Sequence, residues 1–374
     1  MISFPFPWRD SVEIEEMADF VAPQYSKSRV VGAGKLLKGS LPWPSEVTAE
    51  TFKIARNWRA CHLIPMRHVR MELNAKVKKS GGGLTAARLK RMTSIRAKLR
   101  RAPYTLYQMQ DIAGCRAIMA NQDDADYLIA LLRKESRHTF IDQDDYIASP
   151  KPLGYRGHHL IYRYHGRGPF VALNSNPQFV EIQIRTKLQH AWATAVEAVG
   201  MVRGEELKSG QGDAAWLRLF ALMGSEMAAE EGTALVPNTP CNEAERRKEI
   251  IQIERSLDAL ANLSNYRNAV KIAETVRTSS PYYLIQFDRE AGRLRVRGVS
   301  AAASTTSLDD AESYGGINSV LVAVDKVGDL QAAYPNYFLD VALFEDRLKR
   351  VARPRPKRPP INADWLKAWI SRGR

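Results

Sequence analysis

The chain has 374 residues, long enough for two or three domains, and its 45% apolar and 26% charged residues exclude wholesale disorder and collagen-like structure. No apolar run reaches about 18 residues, and Cys61, Cys115 and Cys241 lie far apart, so neither a membrane-spanning helix nor a disulfide framework or zinc site is expected; the default is a cytoplasmic protein without membrane attachment. Lys+Arg 55 against Asp+Glu 41 gives a net charge of +14, which favours a polyanionic partner such as nucleic acid or nucleotide.

In chain order, residues 44–79 read as mostly helical. Phe52, Ala55, Trp58 and Cys61 recur at three-residue steps, and Pro65 is expected to break the run. Gly81, Gly82 and Gly83 form a connector, and a second helix is expected over 85–101. A strand at 114–119 and a helix at 123–134 follow. Strands are expected at 139–147, 158–164 and 179–186, and a helix at 188–199. This alternation predicts an α+β fold, a mixed β-sheet flanked by helices. Residues 203–213 read as a loop, 214–231 as a helix and 233–242 as a linker. The apolar steps Ile250, Ile253, Leu257, Leu260 and Leu263 suggest one long helix over 243–278. Past Pro281 the pattern becomes strands at 282–287, 293–299 and 319–324, a loop at 300–307 and a helix at 340–351. The expected organisation is a helical N-terminal region 1–84, a central mixed domain 85–235, a connecting helix 243–280, a small module 281–351 and a basic tail 352–374. That tail holds a Pro- and Arg-rich spacer and a short amphipathic segment with Trp365, Leu366, Trp369 and Ile370.

The positive charge is concentrated. From Arg67 to Arg101 there are twelve basic residues and one acid, Glu72. Within this stretch Arg88, Lys90, Ser94 and Lys98 share one face if the segment is helical. Three cations and a hydroxyl there suit a triphosphate, and a basic solvated helix gives the same spacing. Asp111 precedes the strand that carries Arg116, where an acid can hold a metal and an arginine a phosphate. The loop from Asp145 to His159 contains two prolines and two glycines and presents Lys151, Tyr155 and His159. A flat aromatic beside cations suits a stacked nucleobase with phosphates nearby, and a core-packed tyrosine fits equally. In 179–186, Glu181, Gln183 and Arg185 alternate with Val180, Ile182 and Ile184, so the polar three share one side of a strand.

Taken together and in this order, these four segments resemble the synthetase domain of RelA/SpoT-type proteins, over about 86–199. The resemblance implies transfer of pyrophosphate from ATP to a nucleotide 3′-hydroxyl with magnesium. It assigns ATP binding to Arg88, Lys90, Ser94 and Lys98, metal binding to Asp111 and Glu181, and catalysis to Asp111, Glu181 and Arg116. It assigns the acceptor to Lys151, Tyr155, His159, Gln183 and Arg185, with Tyr155 stacking on the acceptor base. The acidic run Asp142-Gln143-Asp144-Asp145 resembles synthetase-only members, and Gly157 stands where many members carry serine. No His-Asp dipeptide of the hydrolase half occurs. Two acceptors follow from the family: GDP or GTP in alarmone synthesis, or the 3′ end of tRNA in toxic small members. The surplus cations, Lys76, Lys78 and Lys79 among them, favour tRNA as a backbone-binding patch. The module at 281–351 resembles the C-terminal part of fused toxin–antitoxin (CapRel-like) phage-defence members, whose trigger is a phage protein. Tyr334 and Tyr337 are its candidate regulatory residues, able to enter the ATP site by stacking. A non-enzymatic RNA-binding module is the alternative that the intact set of site residues opposes.

Overall fold

The computed structural model describes residues 20–42, 45–269, 271–274, 280–288, 291, 293–300, 302–313, 317–326 and 328–353. The start of the chain and the expected spacer and amphipathic tail lie outside the described residues.

Among the described residues, nine strands form one sheet: β1 Gly83–Leu89, β2 Ala113–Met119, β3 Thr139–Asp145, β4 His158–Arg163, β5 Phe179–Thr186, β6 Lys271–Glu274, β7 Tyr282–Asp288, β8 Arg293–Val299 and β9 Ile317–Val324. Their spatial order is β3-β4-β5-β2-β1-β9-β7-β8-β6. The β2–β5 and β6–β8 pairs are parallel and the others antiparallel. The expected mixed sheet flanked by helices is therefore the observed architecture.

The expected helix over 85–101 is corrected in its first half. Residues 83–89 are a central strand, paired on one edge with β2 and on the other with β9. The helix α4, Met92–Arg101, starts only after Arg91, which is extended. Arg88 thus lies on a strand, Lys90 in the turn that follows, and Ser94 and Lys98 on the helix. The four-residue steps imitate a helical face, but pairing on both edges outweighs that local pattern. Helices α1 Lys27–Lys38 and α2 Glu46–Ala60 grip α4 through Leu37, Ile54, Trp58, Ile95 and Leu99, all buried.

Helix α3, Leu63–Lys79, begins after a break at Cys61 and His62, so Pro65 falls in its first turn, where the missing N–H costs little. With α5, Gln122–Glu135, α3 covers one face of the sheet. Leu73, Ala87, Leu89, Cys115, Ala117, Leu160 and Ile182 make that apolar layer. Asn121 caps α5 by accepting from the Asp124 amide, and Asp123 and Asp124 complement the helix dipole. On the opposite face, α6 Lys187–Arg203 and α7 Ala214–Glu230 pack with α12 Ala342–Ala352 through Trp192, Val199, Trp216, Phe220, Phe344 and Leu348.

The long helix expected over 243–278 is two helices and a strand. Asp258 takes a left-handed conformation (φ 45°, ψ 47°) and separates α8, Glu243–Leu257, from α9, Ala259–Ala269. Ile250, Leu260 and Leu263 still meet in one apolar cluster, which explains the continuous pattern across the break. Part of the loop expected at 300–307 is α10, Ser304–Ser313. The strands expected in the small C-terminal module do not form a separate sheet, because β9 pairs with β1 at Ala86, Ala87 and Arg88. A short helix α11, Asp329–Ala333, leads into the turn carrying Tyr334 and Tyr337. Among the described residues, no helix is long and apolar enough to cross a membrane.

Candidate active site

Side chains on the face opposite α3 define the site, and strand register sets their rows. Glu181 lies opposite Gly114, which lies opposite Arg88. In the next row, Asp144 pairs with His159, His159 with Gln183, Gln183 with Arg116, and Arg116 with Ala86. Because Gly114 carries no side chain, space is left between Glu181 and Arg88. These residues, with Lys90, Lys98, Asp111, Tyr146, Lys151, Tyr155, Arg185, Trp192, Leu207 and Tyr334, line a cavity of about 320 Å³. Of the residues assigned to ATP, Arg88, Lys90 and Lys98 reach this cavity; Ser94, one turn before Lys98 on α4, does not line it.

Asp111 anchors the cationic end. Its Oδ2 accepts from Lys90 Nζ at 3.0 Å and from Lys98 Nζ at 2.5 Å. Burial works against the charge on Lys98, but Asp111 prevails and lifts its pKa above the ordinary lysine value. Asp111 Oδ1 is buried without a hydrogen-bond partner. Such an oxygen fits a hard cation that takes its remaining ligands from phosphates and water. Among the described residues there is no group of three or more His, Cys, Asp or Glu side chains that could hold a metal ion.

The other end is a hydrogen-bonded chain. His159 Nδ1 lies 2.9 Å from Glu181 Oε1, and Gln183 donates to Glu181 Oε2 at 2.8 Å. His159 Nε2 is 2.5 Å from the Tyr155 hydroxyl, which also accepts from Arg185 at 2.6 Å. His159 therefore links the Glu181 carboxylate to the Tyr155 hydroxyl through its two ring nitrogens. Burial opposes the charge on Glu181, but the hydrogen bond and charge of His159, then Gln183 and Lys90, hold its carboxyl well below the usual range. Arg185 lies 4.9 Å and Lys151 5.6 Å from the Tyr155 ring, so cations border the expected stacking platform. The loop that bears Tyr155 is fixed from behind. Gly154 has φ 99°, and a Cβ there would come within 2.8 Å of both the Phe220 carbonyl and Trp192. Arg156 is buried and pairs with Glu231, and it donates to the Gly224 carbonyl at 3.2 Å.

Arg116 faces the C-terminal segment. It donates to the Ala333 carbonyl at 3.2 Å and lies 5.8 Å from the Tyr334 ring. Burial, and then the charges of Arg185 and Arg88, bring its pKa down to about 10. His190 contacts the Ala332 carbonyl at 3.2 Å. Tyr337 does not reach the cavity and is buried in an apolar cluster with Tyr283, Phe287 and Val322.

Of the three lysines of the expected RNA patch, Lys76 is buried, while Lys78 and Lys79 are exposed. Lys76 donates to the Glu135 carbonyl at 3.1 Å and lies 3.7 Å from Glu72. Lys79 is 3.7 Å from Glu135, and α3 covers the sheet face opposite the cavity. Arg70 is likewise engaged by Asp325. Sequence reasoning missed Tyr146, Trp192, Leu207 and Lys208 as cavity residues. Tyr146 is signalled by its place in the loop run, whereas Leu207 and Lys208 sit in a polar stretch with no local signal.

Opposed cations and acids around a cleft with an aromatic bracket define a site for moving phosphoryl groups between nucleotides. Residues 87–200 match the family model described as the region found in RelA / SpoT proteins. The chain is 35% identical over 147 residues to the GTP pyrophosphokinase YjbM of Bacillus subtilis, covering 35% of this chain and 68% of that protein. It is 28% identical over 167 residues to the GTP pyrophosphokinase of Escherichia coli K12, spanning 43% of this chain but 21% of that longer protein. The small alarmone synthetase 1 of Bacillus subtilis bound to pppGpp aligns with 29% identity and a TM-score of 0.37, over 45% of this chain and 89% of that one. The chain belongs to the RelA/SpoT family.

Proposed function

We propose that the protein is an alarmone synthetase, moving the β,γ-diphosphate of ATP to the 3′-hydroxyl of GDP or GTP. The observation that carries this reading is one cavity lined by both the Asp111 cluster and the Glu181–His159–Tyr155 chain. The named acceptor of the similar pyrophosphokinases, GTP, supports the guanine nucleotide over tRNA. The buried and paired state of Lys76, and the position of its helix behind the sheet, weaken the physical argument for tRNA, although Lys78 and Lys79 are exposed.

In this reading Lys90, Lys98 and Arg88 receive the ATP phosphates, and Asp111 Oδ1 holds magnesium. The ion, when bound, offsets negative charge on phosphate oxygens. Glu181 accepts the proton of the acceptor 3′-hydroxyl as its oxygen attacks the β-phosphorus and AMP departs. His159 and Gln183 engage both Glu181 oxygens and fix the orientation of its carboxylate. Tyr155 brackets the acceptor base, and Lys151 and Arg185 stand beside it for the acceptor phosphates. Tyr334 and the carbonyls of Ala332 and Ala333 occupy Arg116 and His190, so the 329–341 segment acts as a cover that restrains the donor side.

Two experiments test this. With labelled ATP and magnesium, GDP, GTP and deacylated tRNA are offered in parallel; label is expected on GDP or GTP, and label on tRNA alone would reject the guanine acceptor. Asp111→Asn is expected to lower activity about a hundredfold at ordinary magnesium, since an amide is a poorer ligand and no longer holds Lys90 and Lys98. Raised magnesium should recover part of that loss; full activity at ordinary magnesium would reject the role.

A further inference from the structure

We propose that Lys208 is a phosphate-binding residue of this site, a lysine that leaves Glu197 to take an oxygen of a bound nucleotide's polyphosphate. The proposal rests on the pyrophosphokinase reading, and the residue lies beyond the 87–200 span that matches the family.

Lys208 sits on a short 3-10 turn, Leu207–Ser209, between α6 and α7. Gly204, left-handed at φ 73°, ends α6 and turns the chain back. Leu207 is 1% exposed and pins the turn into the apolar cluster below it. Glu206, on the other side of Leu207, pairs with Arg101 at the end of α4 at 2.6 Å. The backbone is therefore held while the Lys208 side chain stays 58% exposed. That side chain lines the same cavity as Arg88, Lys98 and Arg185.

Its Nζ is 2.9 Å from Glu197 Oε1. Asp111 holds Lys90 and Lys98 in the same manner at the cationic end. A polyphosphate carries more negative charge than one carboxylate and offers several charged acceptors, so it competes well for such a cation. The exchange leaves Glu197 compensated, because the charges of Arg88 and Arg116 act on it as well. Lys208 in turn feels the positive charges of Arg185 and Arg88, a repulsion that an incoming phosphate relieves. Donor and acceptor nucleotides share this chemistry, and the experiment separates them.

The full chain is titrated calorimetrically with magnesium and a non-hydrolysable α,β-methylene ATP, and separately with GDP. Lys208→Ala is expected to weaken one of these nucleotides about tenfold, the loss of a charge-assisted contact. Lys208→Arg should restore most of it. Glu197→Gln removes the competing acid and should tighten the same nucleotide about two- to fivefold. The double variant should behave as Lys208→Ala. Weakening of the ATP analogue assigns the lysine to the donor phosphates, and weakening of GDP assigns it to the acceptor. Wild-type affinity of Lys208→Ala for both nucleotides overturns the proposal. An equal gain from Glu197→Gln with and without Lys208 also overturns it, since the acid then restrains Arg88 and Arg116 instead. If the wild-type chain binds both nucleotides yet releases no AMP, the pyrophosphokinase reading fails, while a Lys208→Ala binding deficit still supports the phosphate contact.

Discussion

Glu181→Gln is expected to lower kcat by about a hundred- to ten-thousandfold, the range over which a positioned base acts, with little change in fold or in KM for the acceptor. The amide is nearly isosteric and keeps a carbonyl oxygen for His159, but it cannot take the hydroxyl proton. In the native protein, His159, Gln183 and Lys90 keep the acid ionised despite its burial. The sign of the pH effect follows. A carboxyl whose folded pKa lies below its unfolded value, about 4.3, contributes stability above that value and loses it as pH falls through the folded pKa. Glu181 therefore stays ionised across neutral pH. A wild-type rate profile should show no loss from this group down to about pH 5, and a Glu181→Gln enzyme of near wild-type rate would remove it from the chemistry.

Deleting everything after Thr278 is expected to give an insoluble or unfolded chain rather than a released enzyme. The deletion strips β9 from β1 and exposes the backbone at Ala86, Ala87 and Arg88. It removes Phe344, Leu348 and Val351 from the cluster that holds α6 and α7. It also removes both acidic partners of Arg59, which is buried and pairs with Asp309 at 2.5 Å and Glu312 at 2.8 Å. Glu312 further accepts from the Met92 amide at 3.0 Å, so the start of α4 depends on the C-terminal segment. The restraint exerted by the cover is better read from Tyr334→Ala in the full chain. That change opens the donor side beside Arg116 and is expected to raise AMP release severalfold, with a lower melting temperature from the lost burial. A soluble, folded truncation, or a Tyr334→Ala rate at or below wild type, would reject one part of this account each.

The parts that are legible in the sequence have local causes. β5 is readable at its observed bounds because Val180, Ile182 and Ile184 alternate with Glu181, Gln183 and Arg185. The loop at 145–159 is legible as a loop because of its prolines and glycines. The parts that are not legible depend on distant partners. Residues 83–89 become a strand because β2 and β9 flank them, and nothing in the Arg88–Lys98 spacing reports those neighbours. The break at Asp258 is hidden because Leu257 before it and Leu260 and Leu263 after it face the same cluster. Lys76 looks like a surface cation in a basic run, but Glu135 lies 59 residues away and covers it only in the fold. Tyr334 and Tyr337 share one apolar cluster, and of the two Tyr334 also lines the cavity.

The central claim is that this cavity transfers a diphosphate to the 3′-oxygen of a guanine nucleotide. The most direct measurement follows β-labelled ATP with GDP and, in a parallel reaction, 3′-deoxy-GDP. The account expects AMP and a labelled guanine nucleotide from GDP, and no labelled nucleotide product from the deoxy compound. Equal labelling of both acceptors, or label released only as free phosphate or pyrophosphate, would contradict it.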